Sequence, residues 1–169
     1  SGGANYFATA FSGHLPYPEK HTAMKQWFPK RVRPTAGCEF VSSRNFPDEA
    51  QGRFLLNNCI GVQGVLQHKV KAVGSGYEGE EIEPLVLCDD RNFRPVDLQF
   101  GPDGALYIVD WQDALVGHMQ YSLRDPQRDH KHARIWRVTY KDRPIVKPPT
   151  IAGEPIEKLL ELLKEPEIR

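Results

Sequence analysis

Phe46-Pro47-Asp48-Glu49-Ala50-Gln51-Gly52-Arg53-Phe54-Leu55-Leu56-Asn57-Asn58 decides the fold, because the chain states its plan twice. Fifty-two residues after Gly52, Gly104 stands in Phe100-Gly101-Pro102-Asp103-Gly104-Ala105-Leu106-Tyr107-Ile108-Val109-Asp110. Each version has a Pro-Asp turn, a glycine, and then a run rich in β-forming residues that ends in Asn or Asp. Proline at the first corner with Asp and Gly after it is the chemistry that closes antiparallel strands. A repeat of about 40–50 residues holding several short strands is the mark of propeller blades.

Working outward, the first unit reads as strands near Cys38–Ser42, Arg53–Cys59, Val65–Val73 and Pro84–Cys88. The second reads as strands over Pro95–Phe100, Ala105–Trp111 and Arg134–Tyr140. Val96, Leu98 and Phe100 alternate with Asp97 and Gln99, as a strand with one buried face requires. Trp111 and Trp136 fall on these strands and read as core. Gly74-Ser75-Gly76 with Glu78–Glu83 reads as a solvated acidic loop. Residues 1–37, with a strand-like Tyr6–Phe11 and a loop rich in Pro, Lys and His, read as the end of a preceding blade. Residues 38–90 and 91–140 make two more. A proline-rich linker covers 141–154, and 155–169 opens an amphipathic helix whose Ile156, Leu159, Leu160, Leu162 and Leu163 share a face. The expected fold class is therefore mainly β: the C-terminal blades of a propeller, followed by the first helix of a helical domain. Both ends read as cut from a longer protein.

Composition narrows the function. The 22 Lys+Arg balance 22 Asp+Glu, which argues against a nonspecific nucleic-acid binder. Glycine and proline, 14 each, are too many for a helical bundle. No apolar run approaches the ~18 residues of a membrane span. Cys38, Cys59 and Cys88 have no CxxC or CxxCH spacing and read as free thiols, one disulfide being open if the protein is exported.

The chemistry is expected where two polar connections meet. In a propeller blade the links between the second and third strands, and between one blade and the next, share a face. Here these are Asp89–Arg94 and the long Gln112–Ala133, which carries His118, Arg124, Asp125, Arg128, Asp129, His130 and His132. Three readings stay open. His130 and His132, two apart, with Asp125, Asp129 or His118, could hold a divalent metal. One histidine backed by Asp129 or Asp110 could act as a general base, with Arg94, Arg124, Arg128 and Arg134 clamping an anionic cofactor or substrate. Or the Arg–Asp steps only brace a long loop. No phosphate-cradling glycine loop is present.

Asn92-Phe93-Arg94-Pro95-Val96-Asp97, Gly101-Pro102-Asp103-Gly104-Ala105-Leu106-Tyr107, Gly117-His118-Met119-Gln120, Leu123-Arg124-Asp125-Pro126 and Arg128-Asp129-His130-Lys131-His132-Ala133-Arg134-Ile135-Trp136-Arg137-Val138 together resemble the PVC-type haem-binding family. The His-Met-Gln and Arg-Asp-Pro-x-Arg-Asp-His-x-His runs carry most of the likeness; the Gly-Pro-Asp-Gly strand is common to many propellers. Ala133 stands where that family is expected to have glycine. The resemblance implies a membrane-bound dehydrogenase-type propeller of the six-bladed kind, related to the glucose/sorbosone dehydrogenases. It implies HEAT-like repeats and a c-type haem domain beyond this chain, which would be its partners with the missing blades. It further implies an exported, periplasmic protein, with membrane association of the parent open, acting on a sugar or alcohol substrate. The cofactors suggested are pyrroloquinoline quinone (PQQ) and Ca. Haem c would sit only on the absent domain, since no CxxCH occurs here. The site residues expected are His130, His132, Asp129 and His118 for catalysis and Arg94, Arg124, Arg128 and Arg134 for cofactor binding. A propeller scaffold that binds glycans or a protein partner is the alternative.

Overall fold

A computed structural model describes residues 27–28, 35–113 and 124–167. The expected strand at Tyr6–Phe11 and the His118 region lie outside the described residues. The chain is mainly β. One antiparallel sheet runs β1 (Thr35–Phe40), β2 (Phe54–Asn58), β3 (Gly64–Val73) and β4 (Gly76–Leu87) in chain order. The other runs β5 (Pro95–Phe100), β6 (Leu106–Asp110) and β7 (Arg134–Val138). One short helix, α1 (Ile156–Leu162), follows. No helix among the described residues is long and apolar enough to cross a membrane.

The repeated stretch forms as its residues dictate. Gly52 and Gly104, the two echoed glycines, both take left-handed backbone, at φ 74° and 80°. That conformation is nearly free for glycine and costly for a side chain. Each turn then delivers the second strand of its sheet. Phe46 and Phe100, which open the two echoes, meet edge to face with ring centroids 5.2 Å apart. The Ser43 hydroxyl donates to the Gly104 carbonyl oxygen at 2.6 Å. The two turn regions therefore lie side by side at one end of the molecule.

The sheets share one core of Val41, Phe46, Ala50, Leu55, Val65, Leu98, Leu106 and Ile108. Burying each large aliphatic among them contributes about 2 kcal/mol. β5 packs against β1 and β2, so the chain returns across the width of the first sheet before starting the second. Gly37 permits the approach: a Cβ there would lie 2.7 Å from the Asp97 Cα and 3.1 Å from the Val96 carbonyl oxygen.

Two expectations are corrected. Glu78–Glu83 is strand rather than loop, because β3 supplies opposite charges across the ladder: Lys71 faces Glu78 and Lys69 faces Glu80. Lys71 Nζ lies 3.6 Å from Glu78 Oε2. Such pairs let a polar hairpin extend beyond the core. Trp111 and Trp136 are half exposed rather than core, at 52% and 44%, since β7 has no strand paired along its outer edge among the described residues. The three cysteines are free, with Cys38 exposed.

Residues 141–154 hold no helix or strand, yet they are fastened to the sheets. The Asn45 side-chain amide donates to the Arg143 and Pro144 carbonyl oxygens, both at 3.1 Å, and its Oδ1 accepts from the Tyr140 N–H at 2.9 Å. The chain after α1 is also tied back. Glu167, buried, accepts from the Arg44 backbone N–H at 2.6 Å and from its Nη2 at 3.0 Å. Glu165 pairs with the same guanidinium. Burial pushes the Glu167 carboxyl up, but the bonds from Arg44 outweigh it and leave it below the ordinary glutamate range. A carboxyl lowered on folding stabilises above its unfolded value and loses that contribution as pH falls through the folded one. Glu167→Gln is therefore expected to lower stability by about 1 kcal/mol near neutral pH. The difference from wild type should shrink below about pH 4 in paired thermal melts. A gap constant from neutral to acid pH would contradict this.

Candidate functional site

The end of the molecule opposite the echoed turns gathers the polar connections. β2 and β6 finish there, and β3, β5 and β7 start there. Burial pushes the Cys59 thiol up, against the charge of Arg94, so the end of β2 lies within electrostatic reach of the start of β5.

Asp110 is the hub. It closes β6 with no solvent exposure and accepts four hydrogen bonds. Its Oδ1 takes the backbone N–H of Arg94 at 2.8 Å and of Gln112 at 3.0 Å. Its Oδ2 takes Arg134 Nε at 2.7 Å and Trp136 Nε1 at 3.0 Å. Register explains the last two: Asp110 lies opposite Arg134, and Ile108 opposite Trp136, so all three polar side chains project from one face of the sheet. Gln112, the one described non-glycine residue with positive φ (51°), is held in that strained conformation by its bond to Asp110. Both oxygens being occupied, Asp110 serves as a brace and not as a proton acceptor.

Arg134 also reaches Asp90 at 3.2 Å and sits over the Trp136 ring, 5.3 Å from its centroid. Burial opposes its charge, but the bonds to Asp90 and Asp110 raise its pKa overall. Asp90 is lowered, first by the Asn92 backbone N–H and then by Arg134 against some burial. Arg128 and Asp113 form a buried pair, Nη1 to Oδ2 at 2.9 Å with side chains 8% and 3% exposed.

The histidines part ways. His132 Nδ1 lies 3.0 and 2.8 Å from the two oxygens of Asp129. Asp129 also caps the Lys131 and His132 backbone N–H groups at 2.9 and 3.0 Å. Its carboxyl is held below the usual aspartate range, first by the Lys131 N–H and then by the His132 ring. His132 is 68% exposed at the side chain, so the carboxylate fixes one ring nitrogen and leaves the imidazole facing solvent. His130 is exposed and does not share that carboxylate.

The sequence-based site thus divides. Asp129 and His132 come together; Arg134 is drawn to Asp90 and Asp110, and Arg128 to Asp113. Arg124 is exposed, and His118 lies outside the described residues. No three His, Cys, Asp or Glu side chains among the described residues converge as metal ligands. That speaks against the set Asp125, Asp129, His130 and His132: Asp125 turns to the Gln127 N–H, and Asp129 is taken as above. Sequence reasoning did not find the hub role of Asp110, because nothing local in Asp110-Trp111-Gln112 announces that four donors will arrive from three segments. A cavity of about 720 Å³ lined by Trp27, Phe40, Val70, Val73 and Tyr77 opens at the opposite end, away from these groups.

No curated protein and no solved structure matches the chain. One family profile does, over residues 12–142, and its description is "Domain of unknown function (DUF7133)". That span takes in both sheets and every connection at the polar end, so the chain belongs to the DUF7133 family.

Proposed function

We propose that the two sheets are successive blades of a β-propeller of the six-bladed kind, and that their polar end is part of the site of an exported, haem-linked oxidoreductase acting on sugars or other alcohols. Several features support the propeller. Both sheets are antiparallel meanders, their first strands face each other, and the chain crosses back over the first sheet to begin the second. Val109 and Ile135, paired on the outer face of the second sheet, are 40% and 71% exposed, as a face awaiting another blade would be.

The observation that carries the functional reading is the Asp129–His132 pair. A carboxylate on Nδ1 fixes the tautomer and stabilises the imidazolium, so that Nε2 can take the proton of a substrate hydroxyl. A quinone, when bound, would supply the oxidant for the carbon-bound hydrogen. The Arg94 guanidinium, buried and hydrogen-bonded to no carboxylate among the described residues, fits the anionic character of PQQ. Among the described residues calcium finds no site, because Asp90, Asp110, Asp113 and Asp129 are all engaged by protein donors and no three acids converge. The chain has no site for covalent haem attachment, so electrons would leave through another domain.

One observation favours the alternative of a scaffold that binds a glycan or a protein partner. Arg128 and Arg134, two of the four expected clamps, are occupied in bracing the loops. Dye-linked oxidation of a sugar and alcohol panel by the full-length protein that carries this chain separates the two. Turnover that requires quinone and is indifferent to calcium is the expected result. A folded, haem-loaded protein without turnover on any substrate would leave the scaffold.

A further inference from the structure

We propose that the cleft beside the β3–β4 hairpin is a second binding site, and that it stacks the rings of an uncharged oligosaccharide. The cleft is built on one face of the first sheet. Phe40 lies opposite Phe54, Phe54 opposite His68, Val70 opposite Gly79 and Ala72 opposite Tyr77. Directly paired residues share a face, and so do alternate residues of one strand. Phe40, Phe54, Val70 and Tyr77 therefore all stand on that face, and Trp27 is seated among them. Its carbonyl oxygen accepts from the Gly79 N–H at 2.5 Å, and its ring meets Phe54 edge to face, 4.8 Å between centroids. Gly79 leaves the room: a Cβ there would lie 2.8 Å from Cε3 and Cζ3 of the indole. Phe40 packs on the same Phe54, centroids 5.4 Å apart, so Trp27 and Phe40 make a fixed aromatic wall. Tyr77 is 66% exposed and makes no ring contact with a described residue. Wall, Val70 and Tyr77 line one cavity of about 720 Å³, a volume within the usual range of small-molecule sites.

The chemistry of the lining selects the occupant. Its one charged residue is Glu78. Alternation turns Glu78 to the other face, where Lys71 Nζ lies 3.6 Å from its Oε2. The rings thus meet an occupant without charge, which selects against phosphates, carboxylates and ammonium groups. Nor is the surface purely apolar. The Tyr77 hydroxyl and the Trp27 indole N–H are hydrogen-bonded to no described residue, and Ser75 adds a hydroxyl at the hairpin turn. An alkyl chain would leave these groups unanswered. A pyranose answers both kinds of surface: its C–H faces lie flat on aromatic rings, and its rim of hydroxyls bonds their polar edges. The cleft lies at the opposite end from Asp129 and His132, so binding there is independent of the oxidoreductase reading.

The test is calorimetric titration of the full-length protein with cellohexaose, maltohexaose, xylohexaose and chitohexaose. Trigalacturonate, tetramethylammonium and hexanol serve as the anionic, cationic and apolar comparators. Binding of at least one neutral hexasaccharide, and of none of the comparators, is the expected result. Tyr77→Ala should weaken that binding about tenfold, the stacking ring being lost. Tyr77→Phe, which keeps the ring and loses the hydroxyl, should weaken it about fivefold. Because Tyr77 is exposed, both variants should melt with wild type. Gly79→Ala, which drives the indole from its seat, should also weaken binding about tenfold. His132→Ala should leave the affinity unchanged. No binding of any neutral hexasaccharide, or binding indifferent to Tyr77→Ala, would overturn the proposal. Binding lost in His132→Ala and kept in Tyr77→Ala would place the sugar at the polar end and overturn it too. Tyr77-dependent binding of tetramethylammonium or hexanol but of no saccharide would make the cleft a cation cage or an apolar pocket, against the proposal. Tyr77-dependent saccharide binding in a protein without turnover would leave the cleft standing and remove the oxidoreductase. Quinone-dependent turnover without such binding would do the reverse.

Discussion

Asp110→Ala is expected to destabilise the chain by about 3–5 kcal/mol, the largest effect of any single substitution at the polar end. The wild-type carboxylate is fully buried and satisfies four donors. Its loss orphans two backbone N–H groups, the Trp136 indole and one face of Arg134 together, and releases the left-handed turn at Gln112. Asp110→Asn keeps the shape but points an amide N–H at a ring of donors, so it should recover only part of the loss. Urea unfolding of wild type and both variants measures this. A loss below about 1 kcal/mol for Asp110→Ala would mean that Arg134 and Trp136 find other acceptors, and the hub would not hold the loops in place.

Gly37→Val is the second large effect and bears on the contact between the sheets. A Cβ at residue 37 already lies 2.5 Å from Asp97 Oδ1 and 2.7 Å from the Asp97 Cα. The carboxylate can swing away, but the backbone atom cannot. Two further methyl groups must therefore push β1 off β5, at a cost of about 1–3 kcal/mol, occasionally more. The core pairing of Leu98 with the first sheet should loosen with it, since Leu98 belongs to the same buried cluster. Amide exchange locates the damage: faster exchange in β1 and β5, with the β3–β4 hairpin unchanged, is the expected pattern. Uniform loosening of both sheets would show that the Gly37 approach is not a local lock.

Much of this fold was legible because its repeat is written in turn chemistry. Gly52 and Gly104 announce the same backbone conformation at the same point of two sheets, and the second sheet begins at Pro95 and reaches Phe100 as the alternation requires. Helix α1 begins one residue after Pro155, where the apolar face predicts. The acidic strand was not legible from Glu78–Glu83, because its partner charges on β3 lie across a hairpin and not within the segment. The tryptophans were misread for a related reason. Burial of Trp136 depends on what lies beyond β7, which no residue of the strand itself encodes. At the site, the Asp129-x-x-His132 spacing was visible, but Arg94 and Arg134 look alike in sequence. Only the folded chain shows that Asp90 and Asp110 bond the Arg134 guanidinium, while that of Arg94 bonds the Phe93 carbonyl oxygen.

The catalytic claim centres on His132 rather than His130, and the most direct measurement is steady-state kcat for the two single alanine variants of the full-length protein on its best substrate. His132→Ala is expected to lower kcat by about 10²–10⁴-fold, the range for loss of a positioned general base, with the melting temperature unchanged. His130→Ala should stay within about threefold of wild type, because it lacks the carboxylate that orients the ring. Equal activity of the two variants, or greater loss at His130, would contradict the assignment of the Asp129–His132 pair as the base.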